Sequence, residues 1–341
     1  MDQPLDIFGD PIVDAKPKPK LRARWEYPPF SVLNARDGWW QDRKREWLGL
    51  GIKSELGRGD DLTFNMGDMN YDRLKEREAV KKKYARAFAV DMMRGEQALS
   101  DGASVGAPGD VANMGVSIFD PVLCELAYRW FSPRGGRIVD PFAGGSVRGV
   151  VASHLGRAYD GVELRAEQVE ANRGQGDICS DPTPTWYQGD SRNIGNIVPP
   201  GADMIFTCPP YADLEVYSED PADISRLAYP EFIEAYREII AETWGLLAPD
   251  RFAAVVVGEV RGKSGAYYNF VGDTIAAFID AGAAYYNEAI LVTAVGSLPV
   301  RINKQFNASR KIGKTHQQML VFVKGDPKRA TATIRSADDE T

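Results

Sequence analysis

A chain of 341 residues with 44% hydrophobic content can bury a full core, as one large domain or as one domain with a smaller appendage, so wholesale disorder is excluded. Its three cysteines, Cys124, Cys179 and Cys208, are too few and too scattered for a disulfide framework, which points to a reducing, cytoplasmic setting, and no apolar run reaches membrane-spanning length. The formal net charge of −7 excludes a uniformly basic nucleic-acid coat but leaves room for local basic strips.

In chain order, the opening residues and the Lys-Pro alternation at 16–20 lack the basic-then-apolar layout of a secretory signal and read as an extended arm. Basic residues then mix with Trp25, Trp39, Trp40 and Trp47 over 16–58. That region either binds nucleic acid or forms a small core whose tryptophans pack on the following domain. Residues 71–94 predict a charged surface helix, and 100–116, rich in Gly, Ser and Ala, predict a loop.

From residue 120 the pattern alternates. Helices are predicted at 120–132, 147–156, 165–173, 230–247 and 270–281. Strands fall at 137–140, 159–163, just before 188–190, and at 203–207, 252–259, 285–295 and 318–324. Such alternation predicts an α/β fold with a mostly parallel, doubly wound sheet covered on both faces. The last two strands lack an intervening helix and should pair antiparallel, joined by a long connection over 296–316. That connection carries Arg301, Lys304, Arg310, Lys311 and Lys314, with no acid over 301–314. The chain therefore divides into an N-terminal extension (1–110), an α/β domain (111–325) and a polar tail (326–341).

In open α/β sheets ligands sit beyond the carboxyl ends of the strands, where the strand order reverses. Residues 136–149, GRIVDPFAGGSVRG, run from a strand into a glycine turn that lets backbone approach a ligand at a helix start. Acids close three successive strands: Asp140, Glu163, placed to take the hydroxyls of a ribose, and Asp190, in reach of an adenine amino group. The fourth strand ends in Cys208-Pro209-Pro210-Tyr211. A diproline fixes two torsions and removes two N–H donors, leaving carbonyl acceptors beside an aromatic ring suited to a flat substrate. Two other signals fail. Gly313-Lys314-Thr315 lacks the upstream glycine of a phosphate loop, since position 308 is Ala308, and the two histidines, His154 and His316, stand apart from any cysteine cluster, so no metal site is expected.

The stretch 119–149 resembles the cofactor-binding part of bacterial and phage S-adenosylmethionine (SAM) dependent DNA amino-methyltransferases, and CPPY resembles their catalytic tetrad, in which Asp, Asn or Ser precedes Pro-Pro-aromatic. Residues 287–325 look like the family's last two strands and basic connection. The resemblance covers roughly 115–325. It implies a Rossmann-like methyltransferase sheet with an antiparallel last strand, with Phe119, Asp140, Phe142, Ala143, Gly144 and Glu163 on SAM; Asp190, from its place at the third strand end, is a further candidate for the adenine of SAM. It also implies that Cys208, Pro209, Pro210 and Tyr211 hold a flipped base whose amino group (adenine N6 or cytosine N4) receives the methyl group. Arg301, Lys304, Arg310, Lys311 and Lys314 are then candidates for phosphate contacts and Tyr217 for a substrate contact, with DNA ahead of RNA as partner. The chain departs from the pattern at Cys208, a thiol where the family offers an oxygen acceptor. Two alternatives follow: methylation of RNA or of pyrimidine C5 with Cys208 as nucleophile, or a catalytically silent nucleic-acid-binding protein of the same fold.

Overall fold

The runs at 204–206 and 252–257 are apolar without alternation, as strands buried on both faces are. In the computed structural model, which describes residues 20–53, 118–212, 216–296 and 298–339, they lie at the centre of an eight-stranded sheet. Its strands are β1 (Val32–Asn34), β2 (Arg137–Asp140), β3 (Ala158–Glu163), β4 (Thr185–Gln188), β5 (Ala202–Thr207), β6 (Leu247–Val257), β7 (Ala284–Val292) and β8 (His316–Lys324). The helices are α1 (Lys20–Trp25), α2 (Gly38–Gly49), α3 (Pro121–Phe131), α4 (Val147–His154), α5 (Ala166–Arg173), α6 (Ile194–Ile197), α7 (Tyr229–Leu246), α8 (Phe270–Asp280), α9 (Leu298–Ser309) and α10 (Pro327–Asp339).

Across the sheet the order is β1-β7-β8-β6-β5-β2-β3-β4. The pairs β2/β3, β3/β4, β2/β5, β5/β6 and β1/β7 are parallel, and β8 runs antiparallel between β6 and β7, with Val255 opposite Leu320 and Ala289 opposite Met319. This is the expected mostly parallel, Rossmann-like plan. The order reverses at β2, so a crevice opens beyond the carboxyl ends of β2 and β5. Neighbouring strand residues serve opposite faces: Ile138 and Val256 join the core with α3 and α4, Val139 and Val255 the core with α7 and α8.

Three segments go beyond the sequence expectation. The aromatic extension supplies a strand, β1, to the edge beside β7, and its Trp40 and Trp47 are buried in the first core. Their indole N–H groups donate to the Asp120 carboxylate (3.2 Å) and to Glu125 (2.7 Å). Asp120 also caps α3 by accepting from the Val122 and Leu123 amides, with Pro121 at the first helical position. Burial pushes the Glu125 carboxyl up, but Arg43 and Trp47 outweigh it and hold it below its ordinary value. Of the two readings of the tryptophan-rich region, packing is the one realised at Trp40 and Trp47. Second, α10 follows β8 and lies against the sheet, with Ala330 buried and Ile334 on the first core. Third, the basic connection contains α9. The predicted helix at 71–94 and loop at 100–116 lie outside the described residues. Among the described residues no helix is long and apolar enough to cross a membrane.

Candidate active site

The turn after β2 gets its shape from one buried carboxylate. Asp140 is fully shielded from solvent and accepts from the Phe142 amide (3.0 Å), Arg148 Nε (2.5 Å), the Tyr159 hydroxyl (2.8 Å) and Thr207 Oγ1 (2.6 Å). Arg148 in turn donates to the carbonyls of Phe142 and Ala143. Burial opposes the guanidinium charge, but Asp140 more than compensates and holds the Arg148 pKa well above its ordinary value. These bonds force the chain through Gly144 at φ +50, a left-handed torsion that glycine adopts without strain. Because Thr207 ends β5, the same carboxylate ties the glycine turn to the strand that leads into Cys208.

Asp140 and Ala143 stand behind the wall of the cavity. Neither lines the cavity: Asp140 is spent on internal donors, and Ala143 is buried with its amide on the Val162 carbonyl. Both hold the loop through internal hydrogen bonds. Phe119, Phe142, Gly144, Glu163 and Asp190 do line the cavity. Phe119 sits over the Arg148 guanidinium at 4.8 Å, and Phe142 stacks on Tyr236. Glu163 accepts one bond on each carboxylate oxygen, from the Gly144 and Arg165 amides at 3.0 Å, leaving further lone pairs toward the cavity. Burial raises its pKa despite these donors. Asp190 is partly engaged, capping the turn after β4 and pairing with Arg192 at 2.7 Å.

The other half of the cavity is built from the ends of β5 and β6 and the start of β8. Cys208, Pro209, Pro210 and Tyr211 all line it. The Tyr211 ring meets Phe270 edge-on at 6.2 Å, and its hydroxyl accepts from Gln317 Nε2 at 2.7 Å and also contacts the Cys208 thiol. Burial pushes the phenol well above its ordinary value, so it stays neutral. Tyr217 lines the mouth, its amide on Ser225 Oγ, while Asp223 accepts from both Ser218 and Ser225 and fixes the loop that carries it.

Glycine turn and diproline turn thus open onto one cleft of about 720 Å³. The basic candidates separate. Lys314 lines this cleft rather than the outer surface. Lys304 and Arg310 are exposed, Lys311 is partly so, and none of the three lines the cleft; Arg301 lies on α9 with its side chain outside the described residues. Sequence reasoning missed several contributors. Ala35, Gln41 and Lys44 bring the N-terminal extension into the wall, with Lys44 on Asp120 at 3.3 Å. Gln317, at the start of β8, holds Tyr211. The 258–268 turn adds Arg261, Lys263 and Tyr267 beside the basic connection. Arg261 lies over the Tyr267 ring at 3.9 Å and donates to the Gly265 carbonyl, and Lys311 packs against Gly265.

No protein-family model and no curated protein sequence matches the chain. Solved structures similar to it include TrmN from Thermus thermophilus, 15% identical over 60% of this chain and 48% of that one, with a TM-score of 0.41. A candidate DNA modification methylase, also from Thermus thermophilus, is 19% identical over 40% of this chain and 51% of that one, with a TM-score of 0.30. A TehB-like SAM-dependent methyltransferase from Corynebacterium glutamicum is 15% identical over 71% of this chain and 99% of its own, with a TM-score of 0.38. The chain spans about half the length of the first two. At such identities and scores the chemistry has to come from the cleft itself.

Proposed function

We propose that the protein is a SAM-dependent methyltransferase acting on the exocyclic amino group of a DNA base, adenine N6 or cytosine N4. The observation that carries this reading is the shared cleft: the Gly144 turn with Glu163, and the Cys208–Tyr211 turn, face one cavity on the same side of the sheet. Its volume of about 720 Å³ is within the range of small-molecule pockets and leaves space for a planar base beside a nucleoside. The donor set suits SAM: a half-engaged carboxylate at Glu163 for ribose hydroxyls, Asp190 for the adenine edge, and Phe119 and Phe142 as apolar walls. When bound, SAM supplies a methyl group already activated on a sulfonium.

The chain's own work is then orientation. An exocyclic amino nitrogen is a poor nucleophile because its lone pair is delocalised into the ring. An acceptor on its proton, such as the Pro209 carbonyl, turns that lone pair toward the incoming methyl. Tyr211, held by Gln317 and Phe270, offers its ring to a base swung out of the stack. Outside the cleft, Arg261, Lys263, Lys304, Arg310 and Lys311, with Tyr267 and Phe306 among them, suit a phosphate backbone, whose contacts set affinity rather than sequence choice.

The test is incubation with labelled SAM and unmodified DNA or RNA, followed by nucleoside mass spectrometry. Methyl on N6 or N4 of DNA is expected; methyl on C5, on RNA alone, or no SAM binding overturns the reading. Cys208→Ala should keep transfer within about tenfold, because a thiol is a weak acceptor whose loss is small. Complete loss would instead mark a covalent C5 enzyme.

A further inference from the structure

One polar group in the cleft has no use in the scheme above. Lys314 reaches inward beside Gly258: a Cβ built on that glycine would lie 3.2 Å from Lys314 Nζ and 3.7 Å from Tyr211 Cε1. The amine and the aromatic ring therefore flank the same backbone position, and the missing side chain at 258 is what leaves the amine its place. Lys314 Nζ is shielded from solvent and has no hydrogen-bond partner among the described residues. The nearest acid does not serve it. Glu259 lies on the adjoining connection, but its carboxylate accepts from the Phe270 and Val271 amides at the start of α8, at 3.1 and 3.3 Å. An amine left unpartnered in a cleft is costly unless a ligand completes it.

Resting on the methyltransferase reading, we infer that Lys314 supplies the side-chain acceptor that Cys208 lacks, taking a hydrogen bond and then a proton from the target amino group through a neutral Nζ. A cationic lysine would do the opposite. Donating to the ring nitrogen beside the amino group, it would draw the lone pair further into the ring and slow methylation. A phosphate contact is disfavoured by place, because Nζ sits at the diproline turn inside the cleft while the exposed cations stand on the rim. Burial lowers the Lys314 pKa, Glu259 raises it less, and Arg261 lowers it further. The other titratable groups lining this end of the cleft are Cys208 and Tyr211 on the diproline turn and His316 on β8. The step balances: the amino nitrogen forms the N–C bond, the C–S electron pair stays on sulfur as the thioether of S-adenosylhomocysteine, and one N–H proton passes to Nζ and then to solvent.

The test uses the full chain as wild type, Lys314→Met and Lys314→Arg, with SAM titration, single-turnover transfer to unmodified DNA from pH 6 to 10, and ¹³C-lysine NMR of the protein without ligands. The expected results are SAM affinity within about twofold in all three, a wild-type rate that rises with pH to a plateau, and a loss of about 100-fold or more in both variants with that rise abolished. The lysine resonance missing from Lys314→Met should titrate below the ordinary value of about 10.4. A Lys314→Arg enzyme as fast as wild type, a Lys314→Met defect confined to the KM for DNA, or a Lys314 resonance titrating at its ordinary value would each overturn the assignment while leaving the parent reading intact. A wild type that binds no SAM or methylates no amino nitrogen overturns both. SAM binding by Lys314→Met reports that the variant is folded.

Discussion

At the end of β2 a buried carboxylate, Asp140, accepts from four donors, whereas at the start of β8 a shielded amine, Lys314, has no partner among the described residues. Both groups stand at the same edge of the sheet, yet they are spent differently. Asp140 satisfies an arginine, a tyrosine, a threonine and a backbone amide, and so fixes the glycine turn before any ligand arrives. Lys314 keeps its bonding capacity. In this cleft the glycine turn is preorganised by internal bonds, whereas at the diproline turn Lys314 Nζ has none among the described residues.

The largest effect should come from unmaking the satisfied end. Asp140→Asn leaves Arg148 buried beside a neutral amide that turns an NH₂ toward one of the four donors. Breaking a buried pair on one side costs about 3–5 kcal/mol, which urea unfolding would read directly. A loss under about 1 kcal/mol would mean that the network is not what holds the turn. Glu163→Gln comes next. One of the two amides, Gly144 or Arg165, then faces an NH₂, and the ligand loses a charged acceptor worth about 1.5–3 kcal/mol, so SAM should bind about 10- to 100-fold more weakly by calorimetry. Unchanged affinity would remove Glu163 from the cofactor site.

The difference between the two ends also explains what the sequence disclosed. Strand-end acids, glycines and the diproline are local signals, so the strand ends that meet at the cleft were legible in the sequence, as was the antiparallel return of β8 from the absence of a helix after β7. Which acid lines the cleft was not legible, because Asp140 and Glu163 both end strands. Only the approach of Arg148, Tyr159 and Thr207 from separate elements turns Asp140 inward. Lys314 was hidden for a related reason. In sequence it closes a run of exposed cations, and nothing local says that the chain after α9 folds back past Gly258 and carries the amine under the rim. The edge strand β1 escaped notice because three residues, Val32–Asn34, carry too little periodicity to register.

Lys314→Met should act on stability with the opposite sign to Asp140→Asn. Burial lowers the folded-state pKa of Lys314 below its unfolded value of about 10.4, so between those values the unfolded chain binds more protons and wild-type stability rises with pH. Below that window the folded state bears the cost of shielding an amine. Methionine removes that cost, so the variant should be more stable than wild type at pH 7, with the gain shrinking toward pH 10 in thermal unfolding. A variant less stable at pH 7 would show that the amine already has favourable partners.

The smallest effect belongs to the rim, where cations are exposed and interchangeable. Lys304→Ala and Arg310→Ala should each weaken DNA binding a few-fold and reduce the slope of log K against log salt by about 0.9 for each phosphate no longer neutralised, with the single-turnover rate at saturating DNA unchanged. Lys328 on α10 is a suitable control, because it is exposed and follows the opposite end of β8 from His316. If Lys328→Ala changes the slope as much as the two rim variants do, DNA is being held by overall charge, and the basic connection has no special place in docking. If the rim variants change the rate instead of the slope, these residues reach into the cleft, and the division between an open target end and a solvated rim has to be redrawn.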